Sequence, residues 1–420
     1  MFKLNEYLSI QPSIVALSLV SLVVMMGASM VTPSLTLYAQ QDLGANEFLV
    51  GAVIAGFAIG RLVFDIPSGV LADRLGLNRT MILGLGVLVS SSVLAGFAPN
   101  YWVLLSARVF EGIGSSIYVG AAIAFVLLSS EASKRGTNIG SYQSMLMLGP
   151  IMGPIVGAPI AAFFGYNAPY LAFAAVIAVA LAIVAALAYS GRLDVARPVL
   201  GHESGGSRKA DMTVYLNTAA IATFGFAFLR SGIYTTGMPL FAYGSLSLSV
   251  FDVGIMLTMA SIANLVSSFF SGKLTQMYGM QKPLFAAILS AAILVAIMPL
   301  STSMLLLLAI VTLIGVTSGF FGQSIVWAAE QIEEKVKKKS VADAGRALGV
   351  HSHVTRGIGF NRMIGDLGLV LGPLFIGYFI SAFTGNPLLW FVSFGLTGVV
   401  LGIVSFLILG TKVKCNIPRR

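Results

Sequence analysis

Long apolar runs, separated by short polar connections, fill the chain from residue 13 to residue 410. Most of the runs reach the length of about 20 mostly apolar residues that a membrane-spanning helix needs. The pattern predicts twelve spans, at residues 13–38, 47–69, 80–99, 101–129, 138–165, 167–190, 214–242, 250–272, 283–301, 303–329, 358–384 and 386–410. We therefore expect an all-α membrane protein of twelve transmembrane helices.

The connections between the spans differ in charge. Those after the odd-numbered spans are short and contain no Lys or Arg. Those after the even-numbered spans, together with the termini, hold basic residues such as Arg74, Arg79, Lys134 and Lys273. Basic loops stay on the cytoplasmic side of a membrane. We expect a multi-pass protein of the cell membrane with both termini in the cytoplasm.

Composition narrows the class of protein. Apolar residues make up 57% of the chain and charged residues only 10%, against about 25% charged in an average soluble protein. This excludes a soluble enzyme, a disordered chain and a secreted disulfide scaffold. With one cysteine, Cys415, and three histidines, no metal site and no cofactor are expected. The net charge of +9 comes from basic residues in the connections and termini that are expected on the cytoplasmic side. Because membrane orientation accounts for this charge, no nucleic acid partner is expected.

Residues 191–213 are polar, include a Gly- and Ser-rich stretch, and predict a flexible cytoplasmic linker. They separate an N-terminal six-helix bundle at 1–190 from a C-terminal six-helix bundle at 214–420. The two halves share a glycine pattern, because Gly140, Gly149 and Gly153-Pro154 recur 219 positions later in the chain. Six spans per copy make the halves parallel, pseudo-symmetric repeats, with a site expected between them near mid-membrane.

Span 5 contains a regular glycine stripe. Gly149, Gly153 and Gly157 recur every four residues and so share one helix face. Small residues let membrane helices approach closely, and the three prolines of this span bend it. The stripe predicts a smooth face against a neighbouring helix, for tight packing or for gating.

Three motifs carry a resemblance to the major facilitator superfamily, and in particular to its drug/proton antiporter branch. The first, Gly69-Val-Leu-Ala-Asp73-Arg74-Leu-Gly76-Leu-Asn-Arg79, is similar to the signature loop after span 2, with Leu and Asn in place of two basic residues. The second, Arg108-Val-Phe-Glu111-Gly112, has Glu where the family has Gln. The third is the span 5 pattern of Gly140, Gly149, Gly153, Pro154 and Gly157, which ends in Ala158 instead of Gly.

The resemblance implies a transporter whose two halves rock about a central site. In the family the loop after span 2 latches the halves on the cytoplasmic side, which implies a conformational gate at Gly69, Asp73, Arg74, Gly76 and Arg79. Asp73 is expected near a helix N-terminus, where the helix dipole would favour its charge. A tight turn that only sets the topology is the alternative.

Ionisable residues inside the predicted spans are functional candidates, because each costs at least about 2.5–3.5 kcal/mol at membrane depth. They are Arg61 and Asp65 in span 2, Arg108 and Glu111 in span 4, Arg230 in span 7, and Arg362 and Asp366 in span 11. A low-dielectric site favours the protonated carboxyl group, and a nearby cation favours the carboxylate. Such pairs can couple transport to protons or bind substrate. Structural ion pairs are the alternative.

Aromatic residues on the spans are candidates for an adaptable apolar pocket. They are Tyr38, Tyr118, Tyr142, Tyr234 and Trp327. Ordinary packing or contact with lipid explains such residues equally well, and the sequence does not separate the two.

These features predict a secondary active transporter working by alternating access. The chain has no phosphate-binding loop of the Gly-x-x-x-x-Gly-Lys-Ser/Thr type, so an ion gradient is the expected energy source. The first hypothesis is proton-coupled efflux of hydrophobic small molecules or drugs by a monomer. The second is uptake or exchange of a small metabolite, such as an organic anion held by Arg108 and Arg230. A membrane-embedded enzyme or scaffold is the non-transport alternative.

Overall fold

The computed structural model describes residues 11–131, 134–193, 218–324, 327, 331, 350–383 and 386–410. Within these residues the chain is almost wholly helical and contains no β-strand, which confirms the all-α class. Three predicted features lie outside the described part: the linker beyond residue 193, Cys415, and the side chain of Arg362.

Twelve helical segments follow one another along the described residues. The first six are α1 (Pro12–Asp42), α2 (Glu47–Leu75), α3 (Leu77–Gly96), α4 (Tyr101–Ser129), α5 (Arg135–Phe164) and α6 (Ala168–Tyr189). The seventh, α7, joins Thr218–Ser231, a π-helical turn at Gly232–Gly237, and Met238–Ser245. The last five are α8 (Val250–Tyr278), α9 (Gln281–Ile297), α10 (Met304–Ser318), α11 (Val350–Ala382) and α12 (Pro387–Gly410).

The helices have the length and composition of membrane spans. Within the described ranges, ten helical runs are long and apolar enough to cross a membrane, and Pro387–Val400 of α12 is a shorter apolar stretch. Local signals set several ends. Asn46 and Asn100 cap α2 and α4, because each side-chain oxygen accepts a hydrogen bond from the backbone N–H three residues later. Gly165, with φ +98°, ends α5.

The end of span 2 differs from the prediction. Helix α2 continues past residue 69 to Leu75 and stops at Gly76, whose φ of +83° favours glycine. Asp73 and Arg74 end the hydropathy signal, but neither residue breaks a helix. Asp73 therefore lies in the last turn of α2, and its expected place at a helix N-terminus is wrong. The dipole of α2 disfavours a carboxylate at this end.

The chain forms two compact units. The first is Met1–Ser207 with Met238–Ser261, and the second is Arg208–Gly237 with Ile262–Arg420. The first unit thus includes the end of α7 and the beginning of α8 beside the first six helices. A cluster of buried apolar side chains in this unit joins α1, α3, α4, α5 and α6. The predicted domain boundaries at 190 and 214 stay a prediction.

Glycines bring α5 onto α1 at backbone distance. A Cβ atom at Gly153 would lie 2.5 Å from the Met26 carbonyl oxygen, and one at Gly157 would clash with the backbone of Met30. The second unit contains the same arrangement between α11 and α7. There a Cβ atom at Gly368 would lie 2.6 Å from the Phe224 carbonyl oxygen. The predicted smooth face of span 5 is a packing face, and its repeat in span 11 packs in the same way.

Candidate functional site

Helix α4 packs between α2 and α3. Each of these helices contacts a different face of α4 so closely that their backbones touch where α4 has glycine. On the α2 side, a Cβ atom at Gly112 would clash with the Phe57 carbonyl. On the α3 side, a Cβ atom at Gly114 would lie 2.9 Å from the Gly84 carbonyl oxygen. These crossings fix the side chains of α4 that stand between them. Arg108 and Glu111 are two of these side chains.

Arg108 and Glu111 form a buried ion pair within one turn of α4. Arg108 Nη1 donates a hydrogen bond to Glu111 Oε2, and Ser92 Oγ of α3 donates to Glu111 Oε1 at 3.1 Å. Relative exposure is 6% for Arg108 and 0% for Glu111. Both carboxylate oxygens are therefore satisfied in a site that is closed to solvent. A buried charge needs such partners.

Aromatic rings complete the walls around Arg108. The guanidinium carbon lies 5.0 Å from the centre of the Phe57 ring, within the range of a cation–π contact. The buried Tyr170 of α6 lies beside Arg108, and its ring centre is 6.0 Å from that of Tyr38. The sequence pointed to Tyr38 among many aromatics. Ser92, Phe57 and Tyr170 were missed, because only the tertiary fold brings them to this place.

Asp65 is held by a neighbouring helix. Ser116 Oγ of α4 donates a hydrogen bond to Asp65 Oδ1 at 2.6 Å, and the backbone carbonyl of Asp65 accepts one from Ser68 Oγ at 2.9 Å. Arg61, one turn before Asp65, is half-buried, and its Nε atom has no hydrogen-bond partner among the described residues. The α2–α4 contact thus holds a second carboxyl group, and Ser116 is a partner that sequence reasoning missed.

In the second unit, Arg230 stands at the end of an α-helical piece of α7, next to the π-helical turn Gly232–Gly237. Its side chain is half-buried, and in the described part of the chain no carboxylate lies within ion-pairing distance. The buried Tyr234 is close enough to interact with it electrostatically. π-helical turns are frequent at functional sites. Arg230 is therefore a cation without a carboxylate partner among the described residues.

A polar network connects α7, the helical turn that follows α10, and α11 in the same unit. Thr223 Oγ1 donates to Ser324 Oγ at 2.9 Å and accepts from Asn361 Nδ2 at 3.1 Å. All three residues are buried. Asp366 of α11 is also buried, beside Gly365, which packs on Thr223. Asp366 lies inside the helix that was predicted as span 11. Its functional role stays a prediction.

The predicted gate residues gather at the α2–α3 connection. Gly69, Asp73 and Arg74 lie in the last turns of α2, Gly76 separates the two helices, and Arg79 lies in the first turn of α3. Asp73, Arg74 and Arg79 are exposed. A Cβ atom at Gly69 would meet no atom within 4 Å. Packing in this unit therefore does not explain a glycine at position 69.

Two predicted pocket tyrosines belong to the core of the first unit. The hydroxyl groups of Tyr118 and Tyr142 each lie 3.0 Å from Ser21 Oγ of α1. Tyr118 is 0% exposed and Tyr142 is 1% exposed. In this structure they pack in the interior and do not line an open cavity.

Comparisons with known proteins agree with this architecture. A family model described as Major Facilitator Superfamily matches residues 17–350. An uncharacterized MFS-type transporter of Methanocaldococcus jannaschii is 23% identical over 91% of this chain and 94% of its own. The quinolone resistance protein NorA of Staphylococcus aureus is 22% identical over 91% of this chain and 93% of its own.

The fold is also that of a solved transporter. The crystal structure of nucleoside transporter NupG superimposes with a TM-score of 0.72, covering 96% of this chain and all of the other, at 16% identity. At this identity the likeness establishes the fold alone. The family match covers most of the chain and includes the helices that hold the buried ion pair. The protein is therefore a multi-pass membrane transporter, not an enzyme, and it belongs to the Major Facilitator Superfamily.

Proposed function

We propose that this protein exports hydrophobic small molecules by alternating access, driven by the proton gradient. The observation that carries the proposal is the Arg108–Glu111 pair, a carboxylate with 0% exposure on a membrane-spanning helix. Glu111 lies about 15 Å from the start of α4, at the 1.5 Å rise of an α-helix. The quinolone resistance named for one relative supports a drug-like substrate.

Protonation of Glu111 would change the forces in this site. A neutral carboxyl group no longer attracts the Arg108 guanidinium, and a buried cation without a counter-ion is costly. Arg108 must then move toward another partner, or the helices around it must rearrange to admit one. Deprotonation restores the pair. The site can thus bias two conformations according to the charge of one carboxyl group.

The remaining predicted residues have subsidiary roles in this proposal. Asp65, held by Ser116, is a second candidate for the coupling proton, and Asp366 a third. The α2–α3 connection gates the transporter on the cytoplasmic side, where the basic connections and both termini lie. The two six-helix bundles act as the moving halves of a monomer in the cell membrane.

Transport in proteoliposomes with an imposed pH gradient tests the proposal. The probes are norfloxacin, a quinolone, and ethidium, a hydrophobic cation. Glu111→Gln should abolish gradient-driven accumulation and retain exchange of labelled for unlabelled probe, because exchange needs no net proton movement. Glu131→Gln, at an exposed position, is the matched control and should behave as the unaltered protein. Accumulation of probe that persists after the proton gradient is collapsed would overturn the proposal, as would full activity in both Glu111→Gln and Asp65→Asn.

A second candidate function is uptake or exchange of a small metabolite, such as an organic anion. The half-buried Arg230 without a carboxylate partner in the described residues favours it. Flux of labelled succinate in vesicles of either orientation tests this candidate. Inward transport of the anion that is lost in Arg230→Gln would support it, and no anion flux in either direction would exclude it for this probe.

A further inference from the structure

A cavity of about 530 Å³ opens within the first unit, at the end opposite to the α2–α3 connection. It lies where α1 and α5 end and α8 begins. Apolar atoms of Leu37, Ala161 and Val250 form part of its wall, and Gln41 and Ser249 add polar groups. Its volume is in the range of about 300–1,000 Å³ that is typical of small-molecule sites.

Two tyrosines give this cavity an aromatic lining. Tyr166 and Tyr243 are both half-buried and pack on the same small apolar cluster. The Tyr243 hydroxyl donates a hydrogen bond to the Pro33 carbonyl, which fixes one ring. Aromatic faces attract cations within about 6 Å of the ring centre. The walls therefore suit an organic cation better than an anion.

The charged groups around the cavity also favour a cation over an anion. Asp252 accepts hydrogen bonds from the backbone N–H and the hydroxyl group of Ser249, at 2.8 and 2.7 Å. The positive end of α8, which would favour an anion, is thus occupied by a carboxylate of the chain itself. The connections that follow the odd-numbered helices contain no Lys or Arg. Asp252 also lies close enough to Tyr243 to interact with it electrostatically.

We propose that this cavity is a binding site for a monovalent organic cation with a hydrophobic body. The tyrosine rings hold the charge, and Asp252, which interacts with Tyr243, adds negative potential beside them. Leu37, Ala161 and Val250 contact the hydrocarbon part. The binding site is independent of proton coupling. Its role as the place that an exported compound occupies before release rests on the proposed function.

Protection of a cysteine from alkylation tests the site in the full-length protein in proteoliposomes. Cys415 is the single native cysteine, so Cys415→Ser gives a background without thiols, and Gln41→Cys places a reporter in the cavity wall. Tetraphenylphosphonium should slow alkylation by N-ethylmaleimide in a saturable manner. Tetraphenylborate, which has the same shape and the opposite charge, should not. A Thr302→Cys reporter, exposed in the α9–α10 connection, should be protected by neither ion.

Variants test whether the aromatic ring and the carboxylate at this cavity account for the protection. Tyr166→Leu should raise the half-protecting concentration of the cation by about 2- to 30-fold, the equivalent of one cation–π contact. Tyr166→Phe keeps the ring and should change it little, and Asp252→Asn should raise it. Glu131→Gln, at an exposed position outside the cavity, should leave protection unchanged. Equal protection by both ions would overturn the assignment of this cavity as a cation site. Protection that survives Tyr166→Leu combined with Asp252→Asn would also overturn it. Either result would stand even if transport is proton-coupled.

Discussion

Gly254 of α8 lies directly against Ala158 of α5. A Cβ atom at residue 254 would come 2.5 Å from Ala158 Cβ and 3.1 Å from the Pro154 carbonyl oxygen. The antiporter motif that span 5 resembles ends in Gly where this chain has Ala158. The small residue at this crossing is therefore provided by α8, and the two positions are complementary in size.

This complementarity predicts a compensating pair of substitutions. Gly254→Ala should destabilise the protein by about 1–3 kcal/mol, because an added methyl group overpacks a filled contact. Ala158→Gly removes the obstructing methyl group, so the double variant should recover much of the loss. Midpoints of thermal unfolding in detergent, compared as a double-mutant cycle, measure the coupling. Additive losses would show that the two residues do not interact.

The buried ion pair predicts an asymmetric response to substitution. Arg108→Gln leaves Glu111 charged, buried and without its cation, which should cost about 3–5 kcal/mol. Arg108→Gln with Glu111→Gln removes both charges and should regain part of that stability. SDS titration of the folded protein in mixed micelles gives the free energies of unfolding.

Transport by the same variants separates coupling from folding. If Glu111 couples protons, the stabilised double variant should still fail to accumulate norfloxacin against a gradient. A double variant that is both stable and fully active would assign the pair to structure alone.

The close contact between α2 and α4 predicts that the effect of a Gly→Ala substitution on stability depends strongly on its position. Gly112→Ala would drive a methyl group into the Phe57 carbonyl, which is backbone and cannot move aside alone. We expect a loss of folded protein or a large fall in the unfolding midpoint. Gly86→Ala of α3 is the matched control, since its Cβ atom meets nothing within 4 Å. It should be neutral or stabilising by up to about 1 kcal/mol through helix propensity. Similar midpoints for the two variants would contradict the packing described for α4.

Gly69 and Gly76 give a test of the gate. Gly76→Ala should destabilise by about 1 kcal/mol or more, because φ at +83° strains any residue with a Cβ atom. Gly69→Ala is sterically free here and should leave the unfolding midpoint unchanged or slightly raised. If the connection is a gate, Gly69→Ala should nevertheless slow norfloxacin transport, because a second conformation closes on that position. Unchanged transport in Gly69→Ala would indicate that the α2–α3 connection is only a turn and not a gate.

The sequence predicted the helices well, because hydropathy reports directly on membrane spans. It misplaced the end of α2, since Asp73 and Arg74 are polar and yet compatible with a helix that continues to Leu75. Arg108 and Glu111 could be paired in advance, because residues three apart on one helix share a face.

Partners from other helices could not be predicted. Ser92 reaches Glu111 and Ser116 reaches Asp65 only because glycines bring their helices to backbone distance. The residues around a serine in a membrane span do not indicate which side chain on another helix it will hydrogen-bond. The same holds for Tyr118 and Tyr142, whose hydroxyl groups meet at Ser21 in the core.

The complete burial of Glu111 also bears on energy conservation. A carboxyl group with 0% exposure exchanges its proton only when the surrounding helices separate. In the proposed cycle, an idle transporter is therefore tight to protons. A cell can keep many copies in its membrane without short-circuiting the gradient that its other transporters and its ATP synthesis require.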